Sequence, residues 1–209
     1  MRVSVSAIGV IAGLCLAITG TAGAARLVRT QAGLFSVSCP SVRQCTSTDG
    51  FIEVTFNPRT GRRTGGGVRT VDPGGGSLIA LSCPTRDECA AVDDSQGVVS
   101  FNPQTGRQTV RRGSIDPRAP QALACASRSQ CTIGDAGGSH DHLTGGEITF
   151  DPRTGRRNTA GTQGDSIDND NQGLNDLACP TVIQCTAIDG IGNELTFNPQ
   201  TARLNAAGM

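Results

Sequence analysis

Leu81-Ser-Cys-Pro-Thr-Arg-Asp-Glu-Cys-Ala-Ala-Val-Asp93 has three further copies in the chain, at Val37 to Asp49, Leu123 to Asp135 and Leu177 to Asp189. Each copy carries two cysteines six positions apart and is followed by an apolar run ending in Phe-Asn/Asp-Pro-Arg/Gln-Thr, at Phe56, Phe101, Phe150 and Phe197. Such a period marks a repeat architecture, in which a unit too small to bury its own apolar face stacks on its neighbours. The repeats run approximately over 31–72, 77–116, 121–168 and 175–209, inside a single domain at 26–209.

Within a unit the pattern resolves into short strands separated by turn signals. In the second, Ser77 to Ser82 is expected as strand a, Pro84-Thr-Arg-Asp87 as the turn, and Cys89 to Val92 as strand b. Asp93 to Gly97 turns again, Val98 to Phe101 is strand c, Asn102-Pro-Gln-Thr-Gly106 is the next turn, and Arg107 to Ile115 holds strand d. In that last turn the proline fixes φ, the Asx side chain caps the backbone and the glycine accepts positive φ. Four short antiparallel strands per unit predict an all-β fold, a small propeller of four four-stranded blades. Four of the six phenylalanines hold the same place in strand c, which suits a packing layer between adjacent blades.

The ends suggest how such a ring closes. Leu27, Val71 and Ile167 each stand 12 residues before a unit's first cysteine, and Ile115 stands 10 before its own, so Leu27 has the register of an outer strand. The chain stops 12 residues after Phe197, sooner than the corresponding outer-strand residues follow the other three phenylalanines. Residues Arg26 to Thr30 are therefore expected to complete the last blade and leave no open sheet edge. The ring closes either within one chain, as a monomer, or between two chains in a ring-completing dimer of eight blades.

Met1-Arg2, the apolar run from Val3 to Ile18 and the small residues up to Ala25 read as a signal peptide over 1–25, with Ala22-x-Ala24 before the cut. The apolar run is short for a bilayer span, so no stable membrane span is expected after cleavage. Cys15 lacks the small residue that precedes a lipidated cysteine. Cys39, Cys45, Cys83, Cys89, Cys125, Cys131, Cys179 and Cys185 remain, and export favours disulfides. The repeat selects pairing within each unit, Cys39–Cys45, Cys83–Cys89, Cys125–Cys131 and Cys179–Cys185, across a short turn. Zinc is disfavoured, because the spacing is not C-x-x-C and the only histidines are His140 and His142. With 18 basic and 18 acidic residues the charge is balanced, which removes a bulk drive toward nucleic acid.

On Cys83-Pro84, Cys89-Ala-Ala-Val-Asp93 and Gly97, and on the weaker copies around them, the chain resembles the repeats of secreted bacterial β-propeller-like proteins with paired-cysteine blades, C-P-S-x-x-x-C-x-A-V-D-x-x-G. The likeness covers nearly all of 27–209. Unit three departs from it, with Ala126 in place of proline and a longer loop. The resemblance implies an extracellular β-rich protein of the secreted space or cell envelope, and it brings no catalytic residues.

In antiparallel blades the a–b and c–d turns share one end of the molecule. Arg43, Arg86 and Arg128 fall in the former and Arg59, Arg62, Arg63, Arg107, Arg153, Arg156, Arg157 and Arg203 in the latter. Asp49, Asp93, Asp94, Asp135, Asp141 and Asp189 fall in b–c turns, and Asp72, Asp116, Asp165, Asp168, Asp170 and Asp176 in the d–a connections at the opposite end. An arginine-ringed end suits bidentate contacts to an envelope polyanion or to an acidic exported protein. The plainer reading is that surface turns favour Asp and tolerate Arg. Asp168-Asn-Asp170-Asn-Gln-Gly173 echoes the start of a calcium loop but lacks the closing Glu. His140, Asp141 and His142 on the longest b–c turn are candidate metal ligands or acid–base groups. Nucleophile motifs, phosphate loops and dinucleotide fingerprints are missing, so beyond possible calcium no cofactor is expected. With neither Trp nor Tyr present, a sugar site built on aromatic stacking is disfavoured. The leading expectation is a non-enzymatic binding or scaffold module. The alternative is a metal-dependent extracellular hydrolase or lyase using the acidic end and the His140/His142 loop.

Overall fold

The structure, a computed structural model, describes residues 35–113, 115, 118–136, 144–158, 165–168 and 173–205. Within them the chain forms four antiparallel sheets, one for each repeat. Sheet A holds β1 (Ser36–Ser41), β2 (Gln44–Asp49), β3 (Ile52–Asn57) and β4 (Arg62–Thr70), paired in chain order. Sheet B holds β5 (Leu78–Thr85), β6 (Glu88–Asp93), β7 (Val98–Phe101) and β8 (Gln108–Arg112). Sheet C holds β9 (Pro120–Ser127), β10 (Gln130–Asp135) and β11 (Gly146–Asp151), with β12 (Arg156–Arg157) and β13 (Asp165–Ser166) sharing its outer edge. Sheet D holds β14 (Leu174–Thr181), β15 (Gln184–Asp189), β16 (Glu194–Asn198) and the two-residue β17 (Arg203–Leu204). The expected all-β class and the four-unit division both hold.

The cysteines pair within their own sheets, Cys39–Cys45, Cys83–Cys89, Cys125–Cys131 and Cys179–Cys185, each joining the first two strands. Strand a is longer than the sequence suggests. β5 continues through Cys83 and Pro84 to Thr85, leaving only Arg86 and Asp87 for the turn. The reason lies in the register, which shifts between Ser82 and Thr85. Proline can sit in that irregular stretch because it interrupts no regular ladder donor.

The Asx-Pro turns form as the sequence predicts. The side-chain oxygens of Asn57, Asn102, Asp151 and Asn198 accept the backbone N–H two residues on, at 2.8–2.9 Å. Gly61, Gly106 and Gly155 take positive φ at the turn exits, and Ala202 takes φ 53° at the same place in the fourth unit. A left-handed alanine costs about 1 kcal/mol, so the last turn is the least relaxed of the four.

Successive sheets meet through one repeated joint. The first strands stand beside one another, β1 by β5, β5 by β9 and β9 by β14. The face bearing the second cysteine and the phenylalanine packs on the opposite face of the preceding sheet. Phe150, Cys131, Ile133 and Leu123 of sheet C cluster with Ala80, Ala90, Val92 and Val98 of sheet B. Phe197, Cys185 and Leu177 of sheet D cluster with Ala122 of sheet C. On sheet B, Phe101, Cys89 and Leu81 gather with Val71 from the end of β4. Their neighbour in sheet A is polar, and the amides of Leu81 and Cys83 donate to the hydroxyls of Ser36 and Ser38 at 3.1 and 2.9 Å. Val71, Ile115 and Ile167, the aliphatic residues that close the outer strands, are all buried. Their amides donate to the carbonyls of Phe51, Gln96 and Gly145, each five positions before its unit's phenylalanine.

A side-chain clasp reinforces the joints at the a–b turns. Gln44 Nε2 donates to the Arg86 carbonyl at 2.6 Å and Gln104 Nε2 to Gln44 Oε1 at 3.3 Å. Sheets C and D repeat this pattern with Gln130 to the Val182 carbonyl at 2.7 Å and Gln200 to Gln130 at 3.3 Å. Between sheets B and C, Glu88 occupies the equivalent place and accepts from Arg128 Nε at 2.9 Å. Among the described residues no comparable contact joins β14 to β1, so the four sheets describe an arc with three joints.

Candidate binding face

The hairpin order a–b–c–d of strands within each sheet carries the a–b and c–d turns to one end, and the arginines with them. Arg59, Arg62, Arg107 and Arg156 are exposed there. Arg59 and Arg62 flank the turn held by Asn57, which accepts the Arg59 amide at 2.9 Å. Arg153 is also exposed, but its guanidinium lies on the Asp151 carboxylate at 2.9 Å, so part of its charge is spent locally. That contact draws the Asp151 carboxyl below its usual range, the hydrogen bond from Arg153 being the main cause. Arg157 departs from the expected role. Its guanidinium donates to the Ile115 carbonyl across the joint between sheets B and C, as Gln108 donates to the Val71 carbonyl one sheet earlier. Arg63 stands at the same repeat position, seven residues after its phenylalanine, on sheet A, and is exposed.

Between sheets B and C this end opens a cleft of about 320 Å³ lined by Asp87, Glu88, Phe101, Asn102, Thr109, Arg128 and Arg153. Arg128 spans its wall, 3.0 Å from Asp87 and 2.9 Å from Glu88. Both signs of charge are present and matched, which makes the cleft a polar notch.

The opposite end differs from its expected acidic surface. Asp49, Asp93, Asp135 and Asp189 are buried, and they serve the b–c turns. Asp93 accepts the Gly97 amide at 2.7 Å, Asp135 the Gly146 amide at 3.1 Å, and Asp189 the Asn193 amide at 2.7 Å. Arg118 pairs with Asp135 at 2.9 Å and Arg111 with Asp72 at 2.8 Å. Carboxylates capping tight turns are withdrawn from solvent, so the acidic end presents far less charge than its composition implies. Burial holds the Asp93 carboxyl above its ordinary range.

Of the metal candidates, His140, His142 and Asp170 lie outside the described residues. Asp168 is buried, 2 % exposed, and repeats Asp72: each follows the buried aliphatic residue of an outer strand and shares with it a single carbonyl acceptor. Its place is the one the repeat gives Asp72. Among the described residues no group of three or more His, Cys, Asp or Glu side chains converges as metal ligands do.

Sequence reasoning missed two buried glutamates. Glu53 and Glu147 are 0 % exposed, on the strand-c face that turns toward the next sheet. Thr55 Oγ1 donates to Glu53 at 2.8 Å and pairs with Thr46 at 2.9 Å. Thr149 and Thr132 repeat both contacts at Glu147, each at 2.8 Å. The signal was in the chain as Glu-x-Thr-Phe at 53–56, 147–150 and 194–197. Burial pushes the Glu53 carboxyl up to about 7, with Thr55 and Arg69, 3.5 Å away, acting against the shift.

The sign of the pH effect follows. Between the ordinary value near 4.5 and about 7 the folded chain keeps a proton that the unfolded chain has released. Stability therefore falls as pH rises through that window, by up to about 3 kcal/mol. Glu53→Gln removes the penalty, so the variant is expected to match wild type near pH 4 and exceed it near pH 8. Urea unfolding at both pH values measures the difference, and parallel pH profiles for the two proteins would show that Glu53 is not the group responsible.

No family model and no curated protein matches the chain. Solved structures do. The chain is similar to the computationally designed Ika4 protein at 17% identity and TM-score 0.54, over 83% of this chain and 95% of that one. It is similar to the computationally designed Ika8 protein at 16% identity and TM-score 0.56, over 86% of this chain and 51% of that one. At such identities the likeness speaks for the fold alone. Four disulfides fit an oxidising, extracellular environment. No helix among the described residues is long and apolar enough to cross a membrane.

Proposed function

We propose that the protein is an exported, non-enzymatic binding or scaffold module, a disulfide-stapled β-propeller that engages an anionic polymer of the cell envelope through its arginine end. The observation that carries this reading is an asymmetry of use: Arg59, Arg62, Arg107 and Arg156 are exposed at one end, while Asp49, Asp93, Asp135 and Asp189 at the other are buried. An end with exposed cations attracts polyanions despite a balanced total charge. Four sheets sharing one repeated joint support the propeller. Residues Arg26 to Thr30, expected to finish the fourth blade, lie outside the described residues. β17 covers only Phe197 and Asn198.

The test is binding of a poly(glycerol phosphate) chain at low ionic strength, followed by titration with salt. Wild type is expected to bind with an affinity that weakens steeply as salt screens the arginines. Replacing Arg59, Arg62, Arg107 and Arg156 by Gln is expected to reduce affinity by about tenfold or more, since each exposed contact is worth up to about 1 kcal/mol. The fold should survive, because these side chains are exposed. Absence of wild-type binding, or binding indifferent to both salt and the substitutions, rules the polyanion reading out.

A further inference from the structure

The two outermost faces of the arc are the two unmatched halves of the joint that the molecule has already made three times. On sheet A, Val37 is 60% exposed, whereas its repeat equivalents Leu81, Leu123 and Leu177 are 5%, 8% and 8% exposed. Phe56 is half-buried where Phe101, Phe150 and Phe197 are fully buried. On sheet D, Ile188 is 48% exposed where its equivalents Thr48 and Val92 are fully buried. That face is nevertheless assembled like the others, with Thr186 and Thr196 hydroxyls paired at 2.9 Å as in the covered pairs of sheets A and C. Exposed apolar residues at positions buried elsewhere in the same repeat mark an interface awaiting its partner.

We propose that sheet D of one copy packs on sheet A of a second copy, and the reverse, so that two chains close one ring of eight sheets. The inference rests on the propeller reading above and names what closes it. The contact is continuous with the established joints, and its polar clasp is already supplied. Gln184 stands where Gln44 and Gln130 stand, and it is exposed. Its expected partner is the Val42 carbonyl, equivalent to those of Arg86 and Val182. Because one face meets a different face, the contact is head-to-tail, and two arcs related by a twofold axis satisfy both joints at once. The same arc is also matched to about half of the longer Ika8 chain.

Light scattering coupled to size exclusion, run on the purified protein and its variants, decides the matter. Wild type is expected at twice the chain mass. Ile188→Arg and Val37→Arg, each placing a charge on one exposed half-joint, should each lose the two-copy species. Mixing the two variants should restore it, since every mixed pair retains one unaltered joint. A wild-type single chain that Ile188→Arg destabilises would overturn the proposal and leave a propeller closed within one chain. Polymers that lengthen with concentration, or a single chain indifferent to both substitutions, would remove the closed ring and the proposal together.

Discussion

Reduction of all four disulfides is expected to unfold the protein at 37 °C. Each bond closes a loop between cysteines only six residues apart, which in the chain-entropy model contributes about 2 kcal/mol. Four such bonds give about 8 kcal/mol, comparable with the whole stability of an ordinary domain, about 5–15 kcal/mol. The bonds differ in access. Cys45, Cys89, Cys131 and Cys185 are all buried, but Cys39 is exposed while Cys83 is 6% exposed. Graded reductant should therefore open Cys39–Cys45 first and Cys83–Cys89 late, as read by alkylation and peptide mapping. Circular dichroism at 37 °C follows the fold. A fully reduced chain that keeps its β signal and a cooperative melt would show that the joints, and not the bonds, hold each sheet together.

Much of this fold was legible because the repeat writes each rule four times. The Asx-Pro turns and the Cys-x5-Cys pairs declare local geometry, and local geometry is what short-range sequence can encode. What lay hidden depended on the packing of sheets on both sides. Glu53 alternates with Ile52 and Val54, a pattern that ordinarily puts a carboxylate in water; here the second face of the sheet is also covered, so the polar set of strand c is buried too. The aspartates at b–c turns misled for a related reason. Their side chains cap the turns from inside, which residue type and position leave open. Hairpin order brings the a–b and c–d turns to one end, but it could not show that Arg157 serves a joint, a role set by where the Ile115 carbonyl of another sheet lies.

Phe150→Ala is expected to destabilise the protein by about 3–5 kcal/mol, the cost of removing a fully buried aromatic side chain and leaving a cavity. Phe150 meets its sheet neighbour Cys131 on one side and Ala80, Ala90 and Val98 of the preceding sheet on the other. Phe56 occupies the identical position in sheet A, but among the described residues no sheet precedes it, and it is only half-buried. A single chain thus predicts a much smaller loss for Phe56→Ala, about 1–2 kcal/mol, because less apolar surface leaves water there on folding. If sheet D of a second copy covers that face, the loss at Phe56 becomes coupled to assembly, and its size depends on protein concentration by mass action. Guanidinium unfolding of both variants at two concentrations a hundredfold apart measures each case. Midpoints for Phe150→Ala should lie well below wild type at both concentrations. For Phe56→Ala the gap from wild type should be small when both are dilute and widen when both are concentrated, as the wild type gains from a joint that the variant forms poorly. Losses that are equal at the two positions and independent of concentration would mean that Phe56 is already covered within one chain, and that the first sheet has found its neighbour without a second copy.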